Sequence, residues 1–138
     1  MENLIKMDSL QKIIQQGDAE ELNNYAEYLG KIFVTEKITE ERGRRKTEKA
    51  LSTSQIRNIL DEIQRIPKKE NFEKIKNRLN LLRPKLAYAA GRHRGRVKDF
   101  REIVEEAIKL VRTPEHFANF RNFIEAIVAY HRYHGGKE

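Results

Sequence analysis

Three observations predict an all-α fold. Apolar residues recur at three- and four-residue spacing through most of the chain, and capping residues precede those runs. No stretch alternates apolar and polar residues in the manner of a strand. The expectation is a single helical domain over residues 1–138, a compact bundle of about five or six helices. A chain of this length buries a core without disulfides.

The first element carries Leu10, Ile13 and Ile14 at helical spacing and ends at Gln15-Gln16-Gly17. Asp18-Ala19-Glu20-Glu21 then has the form of a capping box, Asp18 accepting from the amide three residues on while Glu21 reaches back. Leu22, Tyr25, Ala26, Leu29, Ile32 and Phe33 follow on one face. Gly30 sits among them, at a cost of about 1 kcal/mol relative to alanine. Around Arg42-Gly43-Arg44-Arg45-Lys46 the periodicity fades, and a mobile basic loop or helix end is expected at about 40–50. Two readings stand there: an arm that orders on nucleic acid, and a solvated charged linker.

Ser52 and Gln55 form the ends of a second capping box, followed by Ile56, Ile59, Leu60, Ile63 and Ile66. Pro67 stops this helix before Lys68 and Lys69. Arg57 lies in the first turn, where a cation opposes the helix dipole and a partner is therefore sought. The next helix begins near Glu70 with Phe72, Ile75, Leu79 and Leu82. Pro84 interrupts it, yet Leu86, Ala89 and Ala90 continue in phase. Pro84 either kinks one helix or begins another. In both cases Lys85, Tyr88 and Arg92 share a stripe beside the core face. Gly91 and Gly95 turn the chain into Val97, Phe100, Ile103, Val104, Ala107, Ile108 and Val111. Thr113-Pro114-Glu115 opens the last helix, with Phe117, Phe120, Ile124, Ile127, Val128 and His131 on its core stripe. Phe123 and Tyr130 widen that stripe, and Gly135-Gly136 closes it.

The formal net charge is +7, and a basic balance favours polyanionic partners. Cysteine is absent, which excludes disulfides and thiolate metal sites. The start of the chain has no secretory leader pattern, and no apolar run is long enough to cross a membrane. A cytoplasmic protein with no membrane partner is expected. Catalysis has little to stand on. His93, His116, His131 and His134 form no HExxH pair, and His131 with His134 alone makes no metal site. No GxxxxGK[ST] loop occurs. Arg112 and His116 are too close for the Arg–His pair of small helical ribonucleases. No enzyme, catalytic residue, metal or cofactor is expected.

Between Arg83 and Lys98 there are six Lys/Arg residues and no Asp or Glu. This segment contains Lys85, Arg92, Arg94 and Arg96, which can neutralise phosphates. Tyr88 either stacks on a base or packs at the core edge with its hydroxyl in water. These residues specify an anion. Two other classes compete with an RNA-binding subunit. One is a helix-turn-helix DNA regulator, which the Pro67-Lys68-Lys69 junction matches poorly. The other is a helical adaptor for acidic proteins.

Three segments carry a resemblance: Ser54-Gln55-Ile56-Arg57, the run Leu82-Arg83-Pro84-Lys85-Leu86-Ala87-Tyr88-Ala89-Ala90-Gly91-Arg92, and Phe123-Ile124-Glu125-Ala126-Ile127-Val128-Ala129-Tyr130-His131. In this order they resemble the small helical subunit of type III-A, Csm-type, CRISPR effector complexes. The resemblance runs from about Ser52 to the C-terminus. It implies a non-enzymatic structural subunit that stacks with copies of itself as a minor filament beside a larger backbone filament. Its partners would be the guide RNA (crRNA), the target RNA and the other subunits. Base pairing would read sequence while the protein contacts the duplex backbone. The implied contacts are Arg57, Lys85, Tyr88 and Arg92, then Arg44, Arg45 and Lys46 through the loop, and Arg94 and Arg96 through the turn. Phe123 and Tyr130 read as core, with part of that surface used between copies.

Overall fold

The computed structural model describes residues 3–67, 69–92 and 95–137. Among these residues the chain forms six helices: α1 (Met7–Ile14), α2 (Ala19–Phe33), α3 (Thr53–Gln64), α4 (Phe72–Arg92), α5 (Arg96–Lys109) and α6 (Pro114–Tyr133). Between α2 and α3 stands a two-stranded sheet, β1 (Lys37–Glu41) and β2 (Arg44–Glu48). The all-α expectation is therefore corrected: the fold is mostly helical, with one small antiparallel hairpin.

The helix starts follow local chemistry. Asp18 accepts from the Glu21 amide at 3.0 Å. The Glu21 carboxylate does not complete the expected box; it accepts the Ser9 hydroxyl at 2.7 Å and ties α1 to α2. Ser52 and Gln55 do form a full capping box. Thr113 caps α6 from the His116 amide, with Pro114 in the first turn. His116 returns the favour through Nδ1, which accepts from the Arg112 amide at 3.1 Å. Pro84 lies inside one continuous helix. Pro84 and Asn80 are both exposed, so the carbonyl that loses its amide partner faces water.

The segment expected as a loop contains the tip and second strand of the hairpin. Glu41 pairs with Arg44 and Glu40 with Arg45, leaving a two-residue turn. Arg42 and Gly43 have φ of 53° and 75°, which a type I′ turn requires at both central positions. Opposite charges face each other across the strands, a pairing worth some tenths of a kcal/mol.

α6 is the centre of the core. Phe117, Phe120, Phe123, Ile124 and Ile127 are fully buried, and α2 packs on α6 more extensively than any other helix does. Gly30 makes that possible. A Cβ there would stand 2.8 Å from Tyr130 Cβ and 2.9 Å from the His131 amide nitrogen, so the two backbones approach too closely for any side chain. Tyr25 stacks on Phe123 and Phe33 meets Phe100 of α5 edge-on.

His131, also fully buried, faces the segment before α3. Its Nε2 lies 2.7 Å from the Leu51 carbonyl. A carbonyl only accepts, so Nε2 carries the proton, and Nδ1 is left as a buried lone pair without a partner. Burial holds this imidazole below its ordinary value, against the smaller opposing effect of the Leu51 bond.

Two outcomes follow from this packing. Gly30→Ala should destabilise the fold by about 1–3 kcal/mol despite alanine's better helix propensity, read as a lowered denaturation midpoint. His131 binds fewer protons folded than unfolded at pH values between its two pKa values, so its contribution is fully present above the unfolded value of 6.5 and is lost as pH falls below it. His131→Gln should therefore flatten the fall in melting temperature between about pH 7 and about pH 5.

Candidate nucleic-acid interface

The core face of α4 is Ile75, Leu79, Leu82, Leu86 and Ala90, all buried. At 100° per residue, Lys74, Arg78, Leu81, Lys85, Tyr88 and Arg92 share a strip about 80° wide, centred about 120° round from that face. All six are exposed. The strip rises about 27 Å from Lys74 to Arg92. Leu81 and Tyr88 are 67% and 68% exposed, so both stand in solvent among cations. Tyr88 therefore is not at the core edge. It makes no hydrogen bond and no ring contact among the described residues.

Not all of these cations are equally available. Lys85 Nζ lies 3.0 Å from Glu62 Oε2 on α3, and Arg65 takes the other oxygen at 3.0 Å. The Lys85 hydrogen bond, with neighbouring positive charge, holds the Glu62 carboxyl below its usual range. Arg78 donates to the Arg65 carbonyl at 3.3 Å. Arg92 makes no ion pair among the described residues.

Arg92 opens onto a groove of about 880 Å³ between the end of α4, the return leg of the hairpin and the start of α3. Lys46, Lys49 and Lys137 line it with Arg92, beside Ser52 and Gln55. Glu36 and Glu48 line it as well, so the groove is basic on balance rather than throughout. Lys46 also borders a second concavity at the hairpin tip, with Glu41, Arg42, Arg44 and Arg45. The α4 strip, the groove and the hairpin thus form one continuous cationic track.

Most of the expected contacts fall on this track: Lys85, Tyr88 and Arg92 on α4, and Arg44, Arg45 and Lys46 on β2. Arg57 does not. Glu62 on α3 faces α4, whereas Gln64 bonds Glu125 on α6 at 3.3 Å. Arg57 lies on the Gln64 side of α3, about 140° round from Glu62. It is exposed and without an ion pair among the described residues, but on another face. Arg94 lies outside the described residues, as do Lys68 and His93.

Arg96 is a correction. It is 5% exposed and its guanidinium is consumed internally. Nη1 meets Asp99 at 3.1 Å, and Nε and Nη2 reach the Thr35 carbonyl and hydroxyl at 3.2 Å each. A side chain so held has no face to offer a phosphate. Lys49 and Lys137 were not anticipated, because only the tertiary fold brings them beside Arg92. Leu81 was legible: it falls out of the core period and into that of Lys85.

No catalytic grouping emerges among the described residues. His116 caps α6, His131 holds Leu51, and His134 Nε2 lies 3.0 Å from Glu27. No cluster of three metal-ligating side chains is found among them. No described helix is long and apolar enough to cross a membrane.

Fold and surface together define a small, mostly helical protein with exposed cations along α4 and the hairpin. A model of the Csm2 Type III-A family matches residues 31–137. The chain is 36% identical over 93 residues to the CRISPR system Cms protein Csm2 of Streptococcus thermophilus, covering 64% of this chain and 76% of that protein. No solved structure matches it. The chain belongs to the Csm2 Type III-A family, and is a structural, non-catalytic subunit of a type III-A CRISPR complex.

Proposed function

We propose that this subunit lines the RNA path of its complex and grips the backbone of the guide–target duplex along the track of α4, groove and hairpin. The observation that carries this is the meeting of Arg92 and Lys46 in one groove. It joins two basic segments that are far apart in the chain. Lysine and arginine supply affinity without sequence choice. The exposed Tyr88 ring suits a ribose or an unstacked base at the edge of the path. Lys85 enters this role by exchanging Glu62 for a phosphate; Arg92 and Lys46 have no ion pair to break among the described residues, and Arg44 and Arg45 face only the exposed Glu41 and Glu40 across the strands. Arg57 would meet a neighbour on the α6 side. Arg94 belongs to the same proposal by its place after Arg92 in the sequence, and Arg96 is withdrawn from it.

Stacking of copies into a minor filament, in a cytoplasmic particle, completes the proposal. Phe123 is fully buried and takes no part in such stacking, whereas Tyr133 is 78% exposed. Purification of the tagged chain from its native host tests the whole reading: guide RNA and the larger CRISPR subunits should co-purify, and an RNA-free chain would refute it.

The isolated chain should bind an RNA duplex with a steep salt dependence and little sequence preference. Lys85→Ala with Arg92→Ala should weaken binding and reduce the slope of log K against log salt by about 2, one per lost phosphate contact. Both side chains are exposed, so the melting temperature should hold. A stability loss with unchanged RNA affinity would assign the strip a structural role.

A further inference from the structure

Beyond its root, the hairpin has no extensive packing against any helix. Residues 40–47 are all exposed. Isolated two-stranded hairpins are marginal in water, so the direction in which Arg44, Arg45 and Lys46 stand must be set at the root.

Both legs of the hairpin are pinned to the first turn of α5. On the incoming leg, Arg96 holds the Thr35 carbonyl and hydroxyl, and Lys37, the first residue of β1, reaches Asp99 Oδ1 at 2.8 Å. On the outgoing leg, the Arg96 amide donates to the Lys49 carbonyl at 3.0 Å. Gly95, with φ of 110°, lets the Lys49 backbone come against it; a Cβ there would collide with the Lys49 carbonyl. Asp99 is the hub of this arrangement. Its side chain is only 10% exposed, and its two oxygens are divided between Lys37 and Arg96.

We propose that Asp99 is a positioning residue for RNA binding, fixing the hairpin so that its cations and Arg92 face one groove. The inference rests on the RNA-binding reading above and adds to it a residue of the wrong charge to touch RNA. Removing one partner of a buried ion pair leaves the others uncompensated. Here Lys37 and Arg96 would both lose their anion; the first residue of β1 would lose its tie to α5, and the guanidinium that holds Thr35 would lose the carboxylate that orients it. The hairpin would then have to be ordered on binding, at a cost to affinity.

The sign of the effect makes the proposal testable. Asp99→Asn raises the net charge by one, which by charge alone tightens binding to a polyanion. Loss of positioning weakens it. The experiment measures RNA duplex affinity by fluorescence anisotropy at fixed salt for the full chain, Asp99→Asn, Gly95→Ala (which changes no charge) and the triple variant Arg44→Ala, Arg45→Ala, Lys46→Ala. Amide hydrogen exchange is followed on the same samples. The expected result is a weakening of about five- to tenfold in both Asp99→Asn and Gly95→Ala. Exchange should accelerate in residues 35–49 and stay unchanged in α2 and α6. Equal or tighter binding by Asp99→Asn overturns the proposal, as does loss of protection throughout α2 and α6, which would make Asp99 a general fold residue. Unchanged affinity in the triple variant would instead remove the hairpin from the RNA surface and end the inference at its premise.

Discussion

The close approach of α2 to α6 at Gly30 is the constraint from which the rest of the fold follows. With the two backbones in contact, α6 is sealed on that side and its remaining apolar width must be covered by other helices. Its C-terminal end then does more than close a helix. His131 holds the Leu51 carbonyl, and the Lys137 carbonyl accepts from the Thr53 amide at 2.8 Å, meeting one of the orphan donors at the start of α3. α3 is thereby placed, and α4 packs beside it with only its core face engaged. The outer face of α4 is left to solvent along its whole length.

The charges divide along the same lines. Residues 1–30, which precede the stretch matched by the family, carry six carboxylates against two lysines. The carboxylates among the described residues lie in α1, α2 and the segment between them, which pack on α6 and have no extensive contact with α4. The outer strip of α4 carries four cations and no acid. Cations gathered along one strip without an acid among them add in field rather than cancel. Glu62 is the local exception, since it faces the strip from α3 and takes Lys85.

Much of the helical fold could be read from residue spacing, because apolar periodicity and caps are local properties. Ser52 with Gln55, and Thr113 with Pro114, behave as their sequence requires. The hairpin escaped notice for a physical reason. Neither face of it joins the core, so it has no apolar alternation, and its turn uses Arg-Gly where Asn-Gly or Asp-Gly is usual. What was visible was the mirror order of charge about Gly43, Glu40-Glu41 before and Arg44-Arg45 after, which pairs across the strands. Arg96 was misread because a basic residue in a basic run has no local mark of burial. Asp99 is near it in the chain, but its other acceptors, Thr35 and Glu36, are some sixty residues away. Gly30 was seen as a cost to its helix, when the approach of a second helix was what it served.

The shape of the track bears on how it can meet a duplex in the proposed role. The major groove of A-form RNA is too deep and narrow for a helix such as α4 to enter. In that role its outer strip would run over phosphates and the shallow minor groove, where cations contact backbone whatever the sequence. Leu81 and Tyr88 then lie against ribose rather than between paired bases. The hairpin differs in kind. It is narrow, exposed on both faces, and bears its cations on a strand that only its root holds in place. A rigid strip and an anchored arm diverging from Arg92 can follow a surface that curves away from a single helix, provided the angle between them is fixed before RNA arrives. Fixing it in advance spares the ordering cost at binding, and both legs of the hairpin are held at the first turn of α5, Lys37 by Asp99 and Lys49 by the Arg96 amide.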